Sequence, residues 1–304
     1  MPLSYTGAGT LRAATAMTVL GCSTGATAGL TGYPLHGGQT LRYLLAAAVL
    51  LPLARRGGPL RPRLTGAELA RLALLAATGL FAFNVLLVQA LRHSDPAAVG
   101  SVIGCTPLLL AVLGPLLARR RPQVRLLAAA GVVVAGAAVT QGAGPGDLPG
   151  FLYALGTLAC EAAFSLLAVG LLPRLGPVRV SAYTTAFAVP LFGLTGLVLD
   201  GDRMVRMPTP GEAAALLYLS LVLTVLAFLL WYGALGRLGP ERAGLFAGLV
   251  PVTAALSGAA LGTGGLHPAE LVGSGLVGLG VCAGLAVRRA PEDAARPAPV
   301  PAGR

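Results

Sequence analysis

Long apolar stretches, separated by short charged or Pro/Gly-rich segments, run along the whole chain. A hydrocarbon core about 30 Å thick needs about 20 apolar residues in a helix to cross it. Cutting the sequence at its charged and Pro/Gly-rich breaks predicts ten such helices, over residues 12–32, 35–53, 68–91, 96–117, 124–141, 149–172, 178–199, 212–235, 240–261 and 268–287. The pattern therefore predicts an all-α integral membrane protein with ten transmembrane helices.

The composition also favours a membrane protein. The chain has 304 residues, of which 55% are hydrophobic and only 11% are charged. Soluble domains carry about a quarter charged residues, so this chain has too few charges to cover a water-facing surface. The composition excludes a soluble domain, a disordered polymer and a DNA-binding protein, and it indicates that the solvent is lipid.

The basic residues lie mostly on one side of the predicted helices. All 22 are arginines, and the formal net charge is +11. If the first helix starts on the inner side, 18 of the 22 fall in inner segments or adjoining helix ends, three fall outside, and Arg42 lies within a span. The positive-inside rule then places both termini in the cytoplasm. We expect a multi-pass protein of the bacterial cytoplasmic (inner) membrane.

An internal repeat with a spacing of 144 residues relates the two halves of the chain. Residues 90–117 align with residues 234–261 without a gap. Shared Leu and Ala mean little in apolar sequence, but prolines and glycines at identical spacing are harder to obtain by chance. The matching positions of this kind are Pro96/Pro240, Gly100/Gly244, Gly104/Gly248, Pro107/Pro251 and Gly114/Gly258.

The repeat predicts two structural units and a tail. The units are residues 1–143 and 144–287, each with five helices, and residues 288–304 form a disordered, Pro/Ala-rich cytoplasmic tail. Because five is odd, the second unit enters the membrane from the opposite side and is inverted relative to the first. Inverted repeats are typical of secondary transporters, in which exchanging the conformations of the halves reverses the side of access.

Two five-helix halves, the segment LRYLLAAAVLLPL at residues 41–53 and the repeated Ala-Leu…Pro…Gly…Pro segment resemble the drug/metabolite transporter superfamily, specifically the ten-helix EamA-type transporters. The resemblance implies a secondary transporter, an exporter rather than an importer, for a small organic metabolite or drug-like solute. Such proteins often carry an acidic residue just after the fourth and ninth helices. The corresponding segments here, LLARRRP and LGTGGLHP, have none, so no role is assigned to that carboxylate.

Two charged residues at membrane depth are candidate binding residues. Arg42 lies about a third of the way in from the outer face, and Glu161 lies near the middle of the sixth span. A charge near the bilayer centre costs roughly 2.5–3.5 kcal/mol on insertion scales, so it should face a cavity or a partner. Arg42 could instead extend outward to water, and Glu161 could be a structural carboxylate. The functional hypothesis is one water-filled cavity in which Glu161 exchanges a proton and Arg42 attracts an anionic group.

Four further residues complete the candidate site. Asn84 lies deep in the third span, and Thr106 precedes the mid-span Pro107. Pro107 and its counterpart Pro251 each remove a backbone hydrogen bond near the midplane. Freed carbonyls persist in lipid only where protein or a cavity accommodates them, so the two prolines are predicted to be hinges or cavity walls, with simple bends as the alternative.

Three aromatic residues allow two interpretations. Trp231, Tyr232 and Tyr183 fall close to the predicted inner interface. Aromatic belts form at such interfaces, and a belt is the favoured interpretation. The alternative is a stacking platform inside the protein.

The remaining motifs exclude several classes of function. The sequence has no Walker A motif, and its four cysteines and three histidines are scattered without ligand spacing. We predict no cofactor, no metal site, no catalytic residue and no nucleic-acid partner. The expected partners are a small-molecule solute, the lipid bilayer and, where transport is coupled, protons. A passive channel or facilitator and, less favoured, an intramembrane enzyme stay open as alternatives, as does the choice between monomer and homodimer.

Overall fold

The computed structural model describes residues 5–23, 26–27, 29–30, 32–56, 64–94, 96–141, 147–260 and 268–287. Every regular element in this part of the chain is helical. In chain order the helices are α1 (Tyr5–Cys22), α2 (Leu35–Arg56), α3 (Gly66–His93), α4 (Pro96–Ile103), α5 (Thr106–Leu117), α6 (Val124–Gln141), α7 (Leu148–Val169), α8 (Leu172–Leu199), α9 (Pro210–Leu238), α10 (Pro240–Gly244), α11 (Leu249–Ala260) and α12 (Pro268–Ala286). The predicted tail, 288–304, lies outside the described residues.

The helices have the length and surface of membrane spans. Five of them, α2, α3, α7, α8 and α9, are each long and apolar enough to cross a membrane, and α5, α6 and α12 contain shorter apolar helices. Large apolar side chains cover their outward faces, with Leu194 65% exposed and Val198 83% exposed. A continuous apolar surface of this kind needs lipid as its solvent. The predicted helical, membrane-embedded class is confirmed for the described residues.

Helices from the first half of the chain pack antiparallel against helices from the second half. Along the α2–α8 pair, His36 lies beside Asp200 at one end, and Leu50 clusters with Ala182 further along. The other closely packed pairs of this kind are α1–α9, α3–α7, α5–α10 and α6–α12. Each pair joins one half to the other, so the core lies between the halves.

Three local features of the first half recur 144 positions later in the second. Thr65 and Glu68 form a capping box at the start of α3, and Thr209 and Glu212 form the same box at the start of α9. Both helices then contain a π-helical segment, Ala76–Ala82 in α3 and Leu219–Leu226 in α9. Both are followed by a helix that begins at a proline, which is α4 in one half and α10 in the other.

The structure corrects the prediction of two unbroken helices over 96–117 and 240–261. The first is interrupted at residues 104–105, between α4 and α5. The second is interrupted by a 3₁₀ turn, Leu245–Gly248, between α10 and α11. Pro107 and Pro251 therefore stand in the first turns of new helices, where a missing N–H costs little, rather than in mid-helix. The predicted kinks are local interruptions of the helical hydrogen bonding, at which Cys105 and Leu249 keep right-handed helical backbone angles.

Most other helix bounds agree with the predicted spans to within a few residues. The exception is α1, which begins at Tyr5 instead of residue 12 and ends at Cys22. Three glycines adopt positive φ angles that other residues avoid: Gly176, Gly201 and Gly239. Gly176, with φ +71°, kinks α8 near its start, and Gly239, with φ +79°, turns the chain from α9 into α10.

The α6–α12 contact predicts a position that tolerates no side chain. A Cβ at Gly280 would lie 2.9 Å from the carbonyl oxygen of Ala129, whereas a Cβ at Gly278 would meet nothing within 4 Å. We expect Gly280→Ala to lower the free energy of unfolding by about 1–3 kcal/mol, because α6 and α12 must separate. Thermal unfolding in detergent, followed by the fluorescence of Trp231, measures the change. Gly278→Ala is the matched control, and an equal loss of stability in both variants would contradict the packing argument.

Candidate functional site

Arg42 is held by neutral partners inside the bundle. Its Nε donates to Oγ1 of Thr224 at 2.8 Å, and its Nη1 donates to Oε1 of Gln39 at 3.4 Å. Gln39 Nε2 in turn donates to Oδ1 of Asn84 at 3.1 Å. The guanidinium also lies 5.2 Å from the ring centre of Tyr43. Its charge has no carboxylate partner in the part of the chain that the structure describes, so it is available to an anionic group.

The two π-helical segments position this Arg42 network. Thr224 lies in the segment of α9, and its hydroxyl bonds to the carbonyl of Leu219, five residues earlier. Asn84 follows the segment of α3, and its Nδ2 donates to the carbonyl of Leu80 at 2.6 Å and to Tyr43 Oη at 3.4 Å. A π turn shifts the register of the helix and leaves backbone groups that side chains can satisfy, which is why such turns are frequent at functional sites.

Glu161 forms a second, separate polar group. Thr106 Oγ1 lies 2.9 Å from Oε2 of Glu161 and 2.7 Å from the carbonyl oxygen of Ile103. Pro107 has no N–H with which to bond that carbonyl, so the Thr106 hydroxyl replaces the missing donor. Thr106 is only 2% exposed. The contact joins the carboxylate on α7 to the break between α4 and α5.

The predicted site residues therefore form two groups. The structure joins Arg42 to Asn84, and it joins Thr106 to Glu161, but Arg42 and Glu161 make no ion pair with each other or with another described residue. The single cavity that both were predicted to line stays a prediction.

A cavity of about 990 Å³ opens at the arginine-rich end of the bundle. We call this end the basic end; its residues include Arg55, Arg56, Arg71, Arg120, Arg174 and Arg237. The cavity lies between the last turns of α5, α7 and α9 and the first turns of α8 and α10. The charged residues in its lining are Arg71, Arg120, Arg237, Arg242 and Glu241, and none of the predicted site residues is among them. The cavity was not foreseen from the sequence.

Tyr232 forms the floor of this cavity and belongs to a cluster of three aromatic rings. Tyr232 lines the cavity, and its ring centre lies 5.1 Å from that of Phe164 and 6.0 Å from that of Phe228. Phe164 and Phe228 also pack against the cluster that contains Tyr43. Phe164 and Phe228 therefore connect Tyr232 to the cluster that contains Tyr43.

The favoured prediction of an interfacial aromatic belt is wrong for two of its three residues. Trp231 is 5% exposed and Tyr232 is fully buried. Trp231 donates from Nε1 to Oγ of Ser165 at 3.3 Å, and Tyr232 stacks in the floor of the cavity. Tyr183 is half-buried and packs against the same core. The alternative, a stacking platform inside the protein, describes Tyr232.

At the opposite end of the bundle, the start of α2 contacts the segment after α8. His36 Nδ1 lies 2.7 Å from Oδ2 of Asp200. A Cβ on Gly37 would lie 1.8 Å from the carbonyl oxygen of Met204, so only glycine permits this approach. Met204 is 6% exposed. These residues come from different halves of the chain, and their contacts hold the start of α2 against the segment after α8.

A second set of contacts joins the two halves of the chain at the same end. Tyr33 donates its hydroxyl to the carbonyl oxygen of Arg206 at 2.7 Å, and the Arg206 guanidinium lies 4.9 Å from the Tyr33 ring centre. Arg206 Nη1 also donates to Oε2 of Glu212 at 2.9 Å, and Nη2 bonds to the carbonyl oxygen of Gly32 at 3.2 Å. The hydrogen bond to the Glu212 carboxylate raises the pKa of Arg206, so the Arg206 guanidinium stays charged over the physiological range.

Asp147 caps the start of α7 at the same end. Its carboxylate accepts from the backbone N–H of Gly150 at 2.8 Å and lies 3.3 Å from Nδ1 of His93. The Gly150 hydrogen bond, and to a lesser degree His93, lower the pKa of Asp147. A lowered pKa stabilises the folded state above the ordinary carboxylate range, and this contribution is lost as the pH falls through the lowered value.

Several important residues were missed in the sequence. Gln39 lies three residues before Arg42, a spacing that puts both on one helix face, so it could have been found. Thr224 is a single hydroxyl in an apolar run, and its role depends on a π turn that has no clear sequence signal. Tyr232 was noticed but assigned to the wrong environment, because its depth depends on how α9 packs.

The apolar surface, the antiparallel helices and the buried polar groups define a multi-pass helical membrane protein. The EamA-like transporter family matches the chain over residues 38–141 and again over residues 148–284. The chain belongs to this family, as the resemblance predicted. Families of this kind are named for transport of small molecules across lipid membranes and are generally not enzymes.

The chain is similar to proteins of Bacillus subtilis (strain 168) that are named as transporters. The uncharacterized transporter YetK is 28% identical over 230 residues, 73% of this chain and 70% of its own. The uncharacterized transporter YyaM is 26% identical over 289 residues, 88% of this chain and 92% of its own. One solved crystal structure covers 90% of this chain and 95% of its own with a TM-score of 0.78. Its 22% identity shows a shared fold and nothing about the solute.

The contacts around Met204 predict how fast a cysteine at this position reacts with a maleimide. In a variant whose four native cysteines are replaced, we expect Met204→Cys to react slowly with a water-soluble maleimide, because Met204 is 6% exposed. Adding Asp200→Asn or Arg206→Gln removes one tie and should raise the labelling rate by roughly threefold to tenfold. Met207→Cys, at a position that is 91% exposed, is the control and should react equally fast in all backgrounds. Unchanged labelling of Met204→Cys would show that these contacts do not close the end.

Proposed function

We propose that this protein is a secondary active transporter that exports a small organic solute across the bacterial cytoplasmic membrane by alternating access. Ten membrane helices form two inverted five-helix repeats, residues 1–143 and 144–287, and both termini lie in the cytoplasm. Arg42, with Asn84 beside it, attracts an anionic group of the solute, and Glu161 carries a proton. The preference for export comes from the family resemblance.

One observation carries the proposal: the bundle has a large cavity at its basic end, and at the other end contacts between the two halves join the segments that the structure describes. The cavity holds about 990 Å³, and the ties at the far end, His36–Asp200 and Tyr33–Arg206, both join the two halves of the chain. A protein that is open at one end and closed at the other matches one state of an alternating-access cycle. In this proposal the arginine-rich end faces the cytoplasm, in keeping with the positive-inside rule. A channel would need a path through both ends.

The helix pairing supports inverted repeats. The 144-residue repeat assigns each helix of the first half a counterpart in the second. The counterparts are α1 and α7, α2 and α8, α3 and α9, α4–α5 and α10–α11, and α6 and α12. A symmetry operation that exchanges the halves replaces each helix by its counterpart. Under this exchange the pairs α2–α8 and α6–α12 map onto themselves, and α1–α9 maps onto α3–α7. An approximate two-fold axis in the membrane plane produces this pattern. Pro107 and Pro251, each in the first turn after a helix break, are then equivalent hinges.

The geometry around Glu161 supplies a means of coupling to protons. A threonine hydroxyl has one hydrogen to donate. When Glu161 is ionised, Thr106 donates to its carboxylate and leaves the Ile103 carbonyl unsatisfied. When Glu161 is protonated, its own O–H donates to Thr106 Oγ1, and Thr106 turns to the Ile103 carbonyl. Both acceptors lie within 3 Å of the hydroxyl, so the proton state of α7 changes the hydrogen bonding at the break before Pro107.

Transport itself is tested by a solute screen on protein reconstituted in liposomes, with carboxylate-bearing, neutral and cationic solutes, with and without a proton gradient. We expect saturable counterflow, in which solute trapped inside accelerates the exchange of labelled solute outside. Carboxylate-bearing solutes should be preferred, and Arg42→Gln should reduce that preference about tenfold, because it removes the one guanidinium of the network. Electrogenic flux without counterflow would indicate a channel.

Proton coupling is tested at Glu161. Glu161→Gln keeps the size and hydrogen bonding of the side chain but cannot ionise. We expect counterflow to continue and the dependence on the proton gradient to disappear. Asp147→Asn is the matched control, since it also neutralises an aspartate or glutamate while keeping a good helix cap, and its gradient dependence should equal that of the native protein. Unchanged coupling in Glu161→Gln would remove Glu161 from the mechanism.

A further inference from the structure

Arg119 occupies a backbone position that usually belongs to glycine. Its φ is +55°, and among the described residues it is the one non-glycine with a positive φ. It lies just past the end of α5, where its N–H donates to the carbonyl of Leu116 at 3.0 Å and the N–H of Arg120 donates to that of Pro115 at 2.8 Å. This pair of hydrogen bonds is the Schellman motif, in which the left-handed residue is most often glycine. An arginine here is strained, so its side chain is expected to have a role that glycine could not fulfil.

Two further arginines follow Arg119 in the chain. Arg121 lies in the link between α5 and α6, and Arg125 lies in the first turn of α6. A cation in the first turn of a helix is unfavourable, because the N-terminal end of the helix dipole is positive. All three arginines are exposed, and none has a side-chain hydrogen bond or ion pair with another described residue. We call Arg119, Arg121 and Arg125 the arginine cluster.

Two carboxylates at the basic end have other partners. Glu241 pairs with Arg120 at 2.9 Å, and Glu68 pairs with Arg174. The arginine cluster therefore has no counter-charge within the described part of the chain. It presents three positive charges to the surroundings of α5 and α6.

Exposed apolar side chains flank the arginine cluster on both helices. Leu116 and Leu117, in the last turn of α5, are 53% and 68% exposed, and Val124, the first residue of α6, is 78% exposed. These side chains end the apolar surfaces of α5 and α6, so the cluster lies where hydrocarbon meets lipid headgroups. A partner that covers the apolar side chains and also brings an anion to the arginines is an acidic phospholipid. A soluble phosphate compound would leave the apolar side chains uncovered.

We propose that the arginine cluster, together with Leu116, Leu117 and Val124, binds an anionic phospholipid. The guanidinium groups donate hydrogen bonds to the headgroup phosphate, and charge-assisted bonds of this kind are stronger than neutral ones. The bound anion offsets the strain at Arg119 and the misplaced cation at the start of α6. The inference is independent of the proposed transport function, because lipid binding requires neither a solute nor a gradient.

Two other arginines at the basic end provide a contrast. Arg55 and Arg56 are exposed, and their side chains have no partner among the described residues. They lie in the last turn of α2, where the helix dipole favours a cation. A general attraction between arginines and acidic lipids would involve this pair and the cluster equally, whereas a specific site depends on the cluster.

The test measures lipid binding to the full chain in detergent by native mass spectrometry. The probes are dioleoylphosphatidylglycerol and dioleoylphosphatidylcholine, which share their acyl chains but differ in net charge. We expect the first phosphatidylglycerol to bind about tenfold more tightly than the first phosphatidylcholine, and this difference should narrow as the salt concentration rises.

Two double variants remove equal charge from the same end of the bundle. Arg119→Gln with Arg121→Gln should weaken phosphatidylglycerol binding about tenfold, because two guanidinium groups of the site are lost. Arg55→Gln with Arg56→Gln is the matched control and should weaken it by less than about twofold, through the general loss of positive charge alone.

Arg119→Gly separates lipid binding from a structural role. Glycine relieves the strain of the positive φ, so the melting temperature without added lipid should rise by about 2 °C. The affinity for phosphatidylglycerol should nevertheless fall roughly threefold to fivefold, because one guanidinium is lost. A residue that served only to end α5 would not produce these opposite changes.

Four binding results would overturn the proposal: equal affinity for the two lipids, equal losses in the two double variants, native phosphatidylglycerol affinity in Arg119→Gly, or displacement of the lipid by excess glycerol 3-phosphate. The last result would indicate a site for free phosphate compounds. A lower melting temperature in Arg119→Gly would also count against the proposal, since the arginine would then serve the fold. The transport function fails separately, because phosphatidylglycerol binding without counterflow of any solute would leave the lipid site in place.

Discussion

Polar groups inside a membrane protein must be satisfied by the chain itself, because the hydrocarbon core contains no water. This constraint explains the arrangement of the interior. Arg42 is surrounded by a hydroxyl, an amide and an aromatic ring, and Glu161 by the hydroxyl of Thr106. These partners are neutral, so they solvate the charges without cancelling them. Each charge can therefore still respond to a proton or to an anionic solute.

The same constraint places the irregular backbone beside the polar side chains. A π turn or a helix break leaves carbonyl groups without their ordinary partners. Asn84 bonds to Leu80 at one π turn, and Thr106 bonds to Ile103 at the break before Pro107. Irregular backbone and polar side chains satisfy each other, and the regular helices around them need only apolar surface. Close glycine contacts, such as Gly280 against Ala129, hold those regular helices together.

The sequence was sufficient for the helical class, most helix bounds and the family, because these depend on hydropathy and on Pro/Gly spacing. Arg42, Asn84, Thr106 and Glu161 stand out in the sequence as polar residues in apolar spans, and their role as a site stays a prediction. The sequence did not show which of them meet. Packing decides that Arg42 meets Thr224, which lies 182 residues away, and that Tyr232 is fully buried instead of interfacial. Pro107 and Pro251 predicted kinks, and the structure has interruptions of the helix just before them. A proline marks where a helix is disturbed but not how many residues the disturbance covers.

The backbone features of the first half recur in the second half, but the polar side chains of the candidate site do not. The capping boxes, the π turns and the proline-started helices recur 144 positions apart. At the positions that correspond to Arg42, Asn84 and Glu161, the other half has Ala186, Phe228 and Met17.

This difference matters for the energetics of the two halves. In the proposed alternating-access cycle, each half would adopt the conformation of the other through the backbone features that both share. Polar residues present once would not be equally satisfied in both arrangements, so the two states would differ in energy. Because only a group that interacts differently with two states can shift their balance, the single-copy residues, and not the repeated ones, would determine how a proton or a solute biases the proposed cycle.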